Sequence, residues 1–420
     1  MAGTTGCRWQ PGSWEPPRFE VGEIARDHGE RLAREHALST AQQKVLRALA
    51  RCRTAALGGH LDECDSCGHQ RPAYNSCRNR HCPKCQAKAR HDWLERRRAR
   101  ILPTHHFHVV FTLPAELRAV VMRNRSPLFD LLFEAATATL LELGRDPERL
   151  GGQLGLTAVL HSWARDMSWH PHLHCVVTGG GLDSEGCWQS TPRNFLFPAK
   201  ALSALFRGKF LAGVRDLSDR GQLDVGRSGS SATDDPQAFD QLLDRLARKA
   251  WVVYSKAPFG GAEAVYAYLG RYTHRVAISN ARLVKVSDRA VIFRTRGAKT
   301  AELPPVSFLR RLLLHVLPDR FVRIRHFGLL APGNVNGRLE LAREQLTSDS
   351  DDSATATEQH PRSVSDGQDA AETFEALTGI DLQLCPRCKV GRMKARPLPT
   401  VELADAPFYQ FAPDAPPGVT

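Results

Sequence analysis

The sequence has 420 residues, enough for two or three domains and at least one sizeable hydrophobic core. Its formal net charge of +12 and its isoelectric point of about 9.4 favour a polyanionic partner over a small-molecule substrate. No segment approaches the roughly 20 apolar residues of a membrane span, and the N-terminus lacks a signal-peptide pattern. We therefore expect a soluble, intracellular protein rather than a membrane or secreted one.

The first hundred residues are predicted to contain helices around a metal-binding segment. Residues 1–25 include a stretch rich in Pro, Gly and Trp, and we expect them to be disordered, whereas residues 26–50 have the apolar spacing of a helix. Residues 52–85 contain too few apolar side chains to form a core, so another interaction must hold them together. A basic helix follows from about residue 88 to 100, and its candidate nucleic-acid contacts are Arg96, Arg97 and Arg98.

Cysteine spacing in residues 52–85 predicts a zinc ribbon. The pairs Cys64/Cys67 and Cys82/Cys85 are both Cys-x-x-Cys, and two such pairs supply the tetrahedral thiolate set that zinc prefers. Buried free thiols are the alternative. Four further residues could form a second zinc site or compete for the first: Cys52, His60, Cys77 and His81. The distant pair at 385 and 388 is half a ribbon without two further ligands.

Beyond residue 103 the pattern changes to strands and amphipathic helices. The predicted strands lie at 107–113, 156–163, 172–178, 282–287 and 289–295, and the predicted helices at 127–143, 198–217, 235–250 and 261–273. The order β-α-β-β-α-β is typical of an α+β, ferredoxin-like fold with an antiparallel sheet and helices on one side.

The region after residue 346 differs in composition. Residues 347–372 contain seven acidic residues and one arginine, a net charge of −6 that leaves +18 for the rest of the chain. Because this segment is also poor in apolar residues, we predict a disordered linker. A short tail, 373–420, carries the last Cys-x-x-Cys pair.

His172 and His174 are a candidate metal pair. Residues two apart in a strand share a face, so both imidazoles point the same way. If strand 156–163 pairs antiparallel with strand 172–178, His161 lies opposite the pair as a third ligand; His170 is a weaker candidate because it lies in the loop. Solvent-facing histidines on an edge strand are the alternative. Imidazoles suit zinc, manganese or cobalt better than magnesium.

Tyr268 and Tyr272 are candidate nucleophiles. They lie four residues apart and share one face of the predicted helix, beside Arg271 and Arg275, which suit phosphate. A core stripe is the alternative interpretation. With a metal ion that polarises a phosphate, a tyrosine hydroxyl could attack it and retain the 5′ end covalently. This chemistry needs no ATP, and the sequence has no Walker-type loop.

These motifs together resemble the two-tyrosine HUH nucleases and, more closely, the rolling-circle transposases of the insertion-sequence ninety-one family. The resemblance covers roughly residues 30–335. The stretches that carry it are 52–60, 76–85, 108–114, 170–181, 268–280 and 325–328.

The resemblance implies a zinc-binding region over 26–100 and a ferredoxin-like HUH catalytic domain over 103–335. His172 and His174 take the role of ligands to Mg²⁺ or Mn²⁺, Tyr268 and Tyr272 that of nucleophiles, and Zn²⁺ is structural. The implied partners are single-stranded DNA at element ends and target DNA, reached in the bacterial cytoplasm at the nucleoid, with no membrane. Two alternatives remain: a plasmid replication initiator or relaxase with the same nicking chemistry, and a non-catalytic zinc-ribbon DNA-binding regulator.

Overall fold

A computed structural model describes residues 17–98, 100–225, 236–256, 264, 270, 276–348 and 381–398. The chain forms two compact units, each built from separate segments. The first, here called the cysteine unit, comprises residues 1–86, 278–313 and 357–420; the second, the sheet unit, comprises 87–277 and 314–356. The predicted boundaries at 26–100 and 103–335 are consecutive, whereas the units interleave. The basic helix belongs with the sheet unit.

Two helices begin the cysteine unit, α1 (Val21–Glu35) and α2 (Thr40–Arg51). Helix α1 starts inside the segment predicted to be disordered, because Glu23 accepts a 3.0 Å hydrogen bond from the backbone N–H of Glu20 and caps the first turn. The single helix predicted over 26–50 is therefore two helices. A second capping box, Ser39 with Gln42, starts α2. Residues 1–16 lie outside the described residues.

Two small antiparallel sheets follow in the same unit. The first has the order β12-β1-β2, from β1 (Gly59–Cys64), β2 (Gln70–Tyr74) and β12 (Met393–Leu398), so a tail strand completes the ribbon. The second has the order β10-β9-β8, from β8 (Leu283–Val286), β9 (Val291–Arg294) and β10 (Thr300–Leu303). Helix α8 (Pro305–Leu314) packs on it through Phe293 and Phe308, whose ring centroids lie 5.7 Å apart.

The sheet unit contains the ferredoxin-like fold that the sequence predicts. Its antiparallel sheet has the order β11-β4-β5-β3-β7, and β6 pairs with β5. Helix α5 (Arg125–Arg145) connects β3 to β4, and helices α6 (Ala199–Asp219) and α7 (Pro236–Arg248) lie between β5 and β7, which gives β-α-β-β-α-β. The strands are β3 (His106–Thr112), β4 (Gln153–Trp163), β5 (Trp169–Leu182), β6 (Trp188–Ser190), β7 (Val253–Lys256) and β11 (Ile324–Gly328).

The fourth strand of this motif differs from the prediction. Strand β7 completes the sheet by pairing with β3, whereas the strands predicted at 282–295 form the separate sheet of the cysteine unit. The helix predicted over 261–273 lies outside the described residues except for Ala264 and Gly270, both helical. The other helices of the unit are α3 (Ala87–Arg98), α4 (Arg118–Arg123), α5 (Arg125–Arg145), α6 (Ala199–Asp219), α7 (Pro236–Arg248) and α9 (Arg338–Ser348).

The two faces of the sheet differ in chemistry. Strand residues alternate between faces, and one set, including Phe111 and Leu173, packs against α5 and α6 in the main core. Large aromatic residues such as Phe206 are fully buried there, and truncating one costs about 3–5 kcal/mol. The opposite face is rich in histidine and is called the histidine face below. Its polar members include His106, His108, Thr157, His161, His172, His174 and His326.

Helix α3 covers part of the histidine face. Its Trp93 packs against Val159 of β4 and Val176 of β5, with Leu94 and Ile101 at the margin of this cluster. The basic helix is thereby held on the face that carries the histidines. No helix among the described residues is long and apolar enough to span a membrane.

Candidate metal centres

Three histidines converge on the histidine face. Strand β4 pairs with β5 so that His161 lies opposite His172, which confirms the strand pairing predicted from the sequence. His174 lies two residues further along β5 on the same face. One ring nitrogen from each of the three lies within 4.8 Å of the others. His170, the weaker candidate, lies within β5 rather than in a loop and is not part of this group.

Hydrogen bonds fix the ring orientation of two of these histidines. Nδ1 of His172 lies 2.7 Å from the backbone carbonyl of His170, and because a carbonyl only accepts, Nδ1 donates and Nε2 keeps its lone pair. Burial lowers the pKa of His172 to about 4, so the ring is neutral at neutral pH. Nδ1 of His174 lies 2.8 Å from Nε2 of His108 on β3. When His174 donates in this bond, its Nε2 is likewise free to bind a metal.

His108 is the residue of this site that the sequence reasoning missed. It falls in the stretch 108–114, to which no role was given. The signal that could have found it is the alternation of His106 and His108 on a strand predicted to lie in the same sheet, which puts both on one face.

The kinds of ligand in the histidine group indicate which of the two predicted ions, Mg²⁺ or Mn²⁺, fits the site better. The group contains three imidazoles and, within the described residues, no carboxylate. Imidazole nitrogens fit manganese, zinc or cobalt better than magnesium, so of the two predicted ions Mn²⁺ fits this site better.

The predicted nucleophiles Tyr268 and Tyr272 and the neighbouring Arg271 and Arg275 lie outside the described residues. Gly270, between the two tyrosines in sequence, is described and buried. A Cβ atom on Gly270 would lie 2.9 Å from Cδ1 of Leu94, so this glycine contacts helix α3. Helix α3 in turn packs on the histidine face.

The first cysteine group consists of Cys52, Cys77, Cys82 and Cys85. The sulfur atoms of Cys77 and Cys85 are 3.7 Å apart, and those of Cys52 and Cys82 are 3.5 Å apart. Tetrahedral zinc with bonds of about 2.3 Å requires sulfur–sulfur distances of about 3.8 Å. The group therefore fits a structural zinc ion.

The second group joins Cys64 and Cys67 of the ribbon to Cys385 and Cys388 of the tail. The Cys64–Cys388 and Cys67–Cys385 sulfur distances are both 3.7 Å, again as zinc requires. The backbone N–H of Gly391 donates to the sulfur of Cys388 over 3.3 Å, which helps to lower the pKa of this thiol to about 6 and favours the thiolate.

This grouping differs from the predicted site of Cys64, Cys67, Cys82 and Cys85. The hairpin of β1 and β2 separates the two pairs. Cys64 and Cys67 lie at its turn, whereas Cys82 and Cys85 follow its open end, and a six-residue strand spans about 20 Å. Each pair therefore takes two ligands from elsewhere in the chain.

Two further zinc candidates lie outside both groups. Nε2 of His60 lies 3.3 Å from Oδ1 of Asp62, and Nδ1 of His81 lies 3.1 Å from Oδ1 of Asn79. Neither imidazole joins the cysteine sulfurs.

The three predicted DNA-binding arginines of α3 have different surroundings. Arg96 and Arg98 are exposed, and Arg98 forms an ion pair with Glu95 at 3.1 Å. Arg97 is half-buried, with its guanidinium 5.9 Å from the ring centroid of Trp93. Only Arg97 of the three thus packs toward the sheet.

Comparison with known proteins gives matches over both units. Residues 24–113 match the family described as "Transposase zinc-binding domain", and residues 155–338 match the family described as "Putative transposase". "Putative transposase y4qJ" of Sinorhizobium fredii is 44% identical over 382 residues, which cover 89% of this chain and 94% of that protein. "Transposase for insertion sequence element IS801" of Pseudomonas savastanoi pv. phaseolicola is 31% identical over 317 residues, or 71% of this chain and 73% of that protein.

One solved structure, titled "Conjugative Relaxase TrwC in complex with mutant OriT Dna", matches 39% of this chain and 71% of its own. Its identity is 15% and its TM-score 0.22, a likeness too low to carry an argument. The two family matches and the two transposase relatives show that the chain belongs to the insertion-sequence ninety-one family of transposases and contains that family's zinc-binding domain.

Proposed function

We propose that the protein is a rolling-circle transposase that nicks and rejoins single-stranded DNA at element ends, with Tyr268 and Tyr272 as nucleophiles. The observation that carries this proposal is the group of His161, His172 and His174 on the histidine face of a ferredoxin-like sheet. A divalent ion held there would polarise a phosphodiester for attack by a tyrosine hydroxyl. The proposed substrates are single-stranded element ends and target DNA, met in the bacterial cytoplasm.

The three histidines would hold a divalent ion, Mn²⁺ or Mg²⁺, with His172 and His174 binding through Nε2. Such an ion, when bound, supplies Lewis-acid polarisation of a scissile phosphate. The carbonyl of His170 and the ring of His108 keep His172 and His174 in the orientation that presents these nitrogens. The thiolate groups would hold two structural zinc ions.

The tyrosine step keeps the energy of the cleaved phosphodiester bond in a phosphotyrosine bond. The phenol oxygen of Tyr268 or Tyr272 loses its proton and forms a bond to phosphorus as the bond to the 3′ oxygen breaks, and the 3′ oxygen takes up a proton and leaves as a hydroxyl. The 5′ phosphate stays on the tyrosine until a 3′-hydroxyl attacks it and regenerates the phenol. Two tyrosines allow a second transfer before the first is resolved. The contact of Gly270 with Leu94 supports an approach of this segment to the histidine face.

The test is a covalent adduct. The full-length protein is incubated with labelled single-stranded element-end DNA and Mn²⁺ and run on a denaturing protein gel. We expect a DNA adduct that disappears in the Tyr268→Phe, Tyr272→Phe double variant and persists in the control Tyr266→Phe, which removes a neighbouring phenol that is not a predicted nucleophile. An adduct in the double variant would refute the tyrosine assignment, and cleavage without an adduct would indicate hydrolysis.

A second variant separates catalysis from binding. His174→Ala should abolish cleavage and leave DNA binding largely intact, whereas equal loss of both would indicate a structural role. Joining of the released end to an unrelated strand would favour a transposase over a replication initiator or relaxase. DNA binding without cleavage by the wild-type protein would favour the non-catalytic regulator.

A further inference from the structure

A pocket rich in cationic side chains opens on the histidine face. It lies away from His161, His172 and His174, which are called the histidine triad below. Three elements line most of it: Arg97 belongs to helix α3 and Arg100 follows it, while Thr157 lies on β4 and His326 on β11. Its remaining lining residues are apolar or aromatic: Trp93, Ile101 and Leu330. None of the described residues that line it is acidic.

The polar groups of this pocket are arranged to receive an anion. The Thr157 hydroxyl and Nδ1 of His326 lie 3.0 Å apart, and when the hydroxyl donates, Nε2 of His326 carries the proton and becomes a donor. Burial, with the charges of Arg97 and Arg100, lowers the pKa of His326 to about 4, so the positive charge of the pocket comes from the arginines. Among the described residues Arg100 forms no ion pair with a carboxylate.

The position of the pocket relates it to the triad. His326 lies opposite Thr157 in the pairing of β11 with β4. Thr157 lies four residues before His161 on the same face of β4, a separation of about 13 Å. A single strand of DNA that presents one phosphate to the triad could place another phosphate, a few nucleotides along, in the pocket.

Residues 325–328 have two different roles, and these agree with the position of the pocket. Arg325 packs over Phe133, with its guanidinium 4.3 Å from the ring centroid, and pairs with Asp130. Gly328 has φ +61°, and a Cβ atom there would clash with the backbone of Leu154. These residues serve the fold, and His326 alone points to the opposite face.

We propose that Arg97, Arg100, Thr157 and His326 form a phosphate subsite that holds the DNA backbone next to the nicking site. The inference rests on the proposed function for its choice of ligand. Arginine forks and a neutral hydroxyl–imidazole pair bind phosphate oxygens without reading bases, so the subsite fixes register rather than sequence. The packing of Trp93 on Val159 and Val176 holds one wall of it rigid.

The first test measures the salt dependence of binding. Full-length protein is titrated with fluorescein-labelled oligothymidylate at several salt concentrations. Because each phosphate neutralised on a single strand contributes about 0.7 to the slope of log affinity against log salt, Arg100→Ala should lower that slope by about 0.7 and weaken binding at low salt. The control Arg220→Ala removes an exposed arginine that already pairs with Asp216, and it should change the slope much less. Equal slopes for Arg100→Ala and the wild type would overturn the proposal.

The second test alters the DNA and compares the wild-type protein with Arg100→Ala, so its main readout, the sensitive position in the wild type, does not depend on how a variant folds. Single phosphates of an element-end oligonucleotide are replaced one at a time by neutral methylphosphonate. We expect one sensitive position a few nucleotides from the nick, and no further loss at that position in Arg100→Ala. Uniform sensitivity along the strand would refute a defined subsite. Competition by inorganic phosphate as effective as that by DNA would assign the pocket to a free anion instead.

Formation of the covalent adduct is measured in parallel, which separates the two hypotheses. A shifted salt slope without any adduct would leave the phosphate subsite standing and refute the tyrosine chemistry. An adduct with unshifted slopes would support the tyrosine chemistry and refute the phosphate subsite.

Discussion

Replacing His108 by alanine should weaken metal binding at the histidine triad without removing a ligand. Nε2 of His108 lies 2.8 Å from Nδ1 of His174, and His108 is only 4% exposed, so water does not readily take its place. Without this acceptor, His174 is free to turn or to protonate the nitrogen that faces the metal. Loss of such an orienting partner lowers metal affinity by about 10- to 100-fold, or about 1.4–2.7 kcal/mol.

The assay is calorimetric titration of Mn²⁺ into protein whose thiolate groups are already loaded with zinc. His108→Gln keeps an acceptor for Nδ1 of His174 and should recover most of the affinity that His108→Ala loses. Adduct formation by His108→Ala should approach the wild-type rate when Mn²⁺ is saturating, because the ligands themselves remain.

A matched control lies on the same strand. His106 is also buried on the histidine face, but its Nδ1 bonds to the carbonyl of Thr104 rather than to the triad. His106→Gln should therefore leave the affinity for Mn²⁺ unchanged. Equal losses in His106→Gln and His108→Ala, or no loss in a folded His108→Ala protein, would refute the orienting role.

Three other predictions concern the zinc sites, the tyrosine segment and the response to acid. Cys388→Ser should remove one of two zinc ions per chain by atomic emission, whereas the control Cys187→Ser, which changes an exposed thiol outside both groups, should keep both; full zinc content in Cys388→Ser would contradict the second site. Gly270→Ala should slow adduct formation because the new methyl group would lie 2.9 Å from Leu94. Adding Leu94→Ala should restore the rate, and an unrestored rate would show that this contact does not cause the loss. Burial lowers the pKa of His315 to about 4 from 6.5. Between these two pH values the unfolded chain binds a proton at this residue and the folded chain does not. The free energy of unfolding should therefore decrease by up to about 3 kcal/mol as the pH falls from 6.5 to 4. Urea unfolding should show a smaller decrease in His315→Gln, and equal decreases would exclude this residue as the cause.

Local pattern was enough to predict the histidine site in outline. Period-two alternation assigned His172 and His174 to one face, and the short connection between β4 and β5 constrained their register, which brought His161 opposite His172. The pairing is confirmed, while the ligand roles remain proposals. The contribution of His108 was missed because β3 meets β5 only through a pairing across the intervening helix and strand.

Non-local pairings could not be predicted in the same way. Strand β7 (Val253–Lys256) and the strands at 283–294 are all short, so propensity alone does not say which of them completes the ferredoxin-like sheet; tertiary pairing decides it. The cysteine groups show the same limit. Cys67 and Cys385 lie 318 residues apart, and no local spacing indicates that they meet. Tyr268 and Tyr272 remain predictions from motif and resemblance.

The tail strand β12 has a consequence for the order of events during protein synthesis. At about 5–20 residues per second, the 318 residues between Cys67 and Cys385 take the ribosome roughly 15–60 s to translate. Throughout that interval the newly made β1 has one unpaired edge, and Cys64 and Cys67 lack the two other ligands of their zinc site. The first cysteine group, complete by Cys85, can already bind its ion and hold the base of the hairpin. Maturation of the ribbon is therefore divided into an early metal-loading event and a late one, and nascent chains interrupted in between carry an open edge that chaperones can recognise.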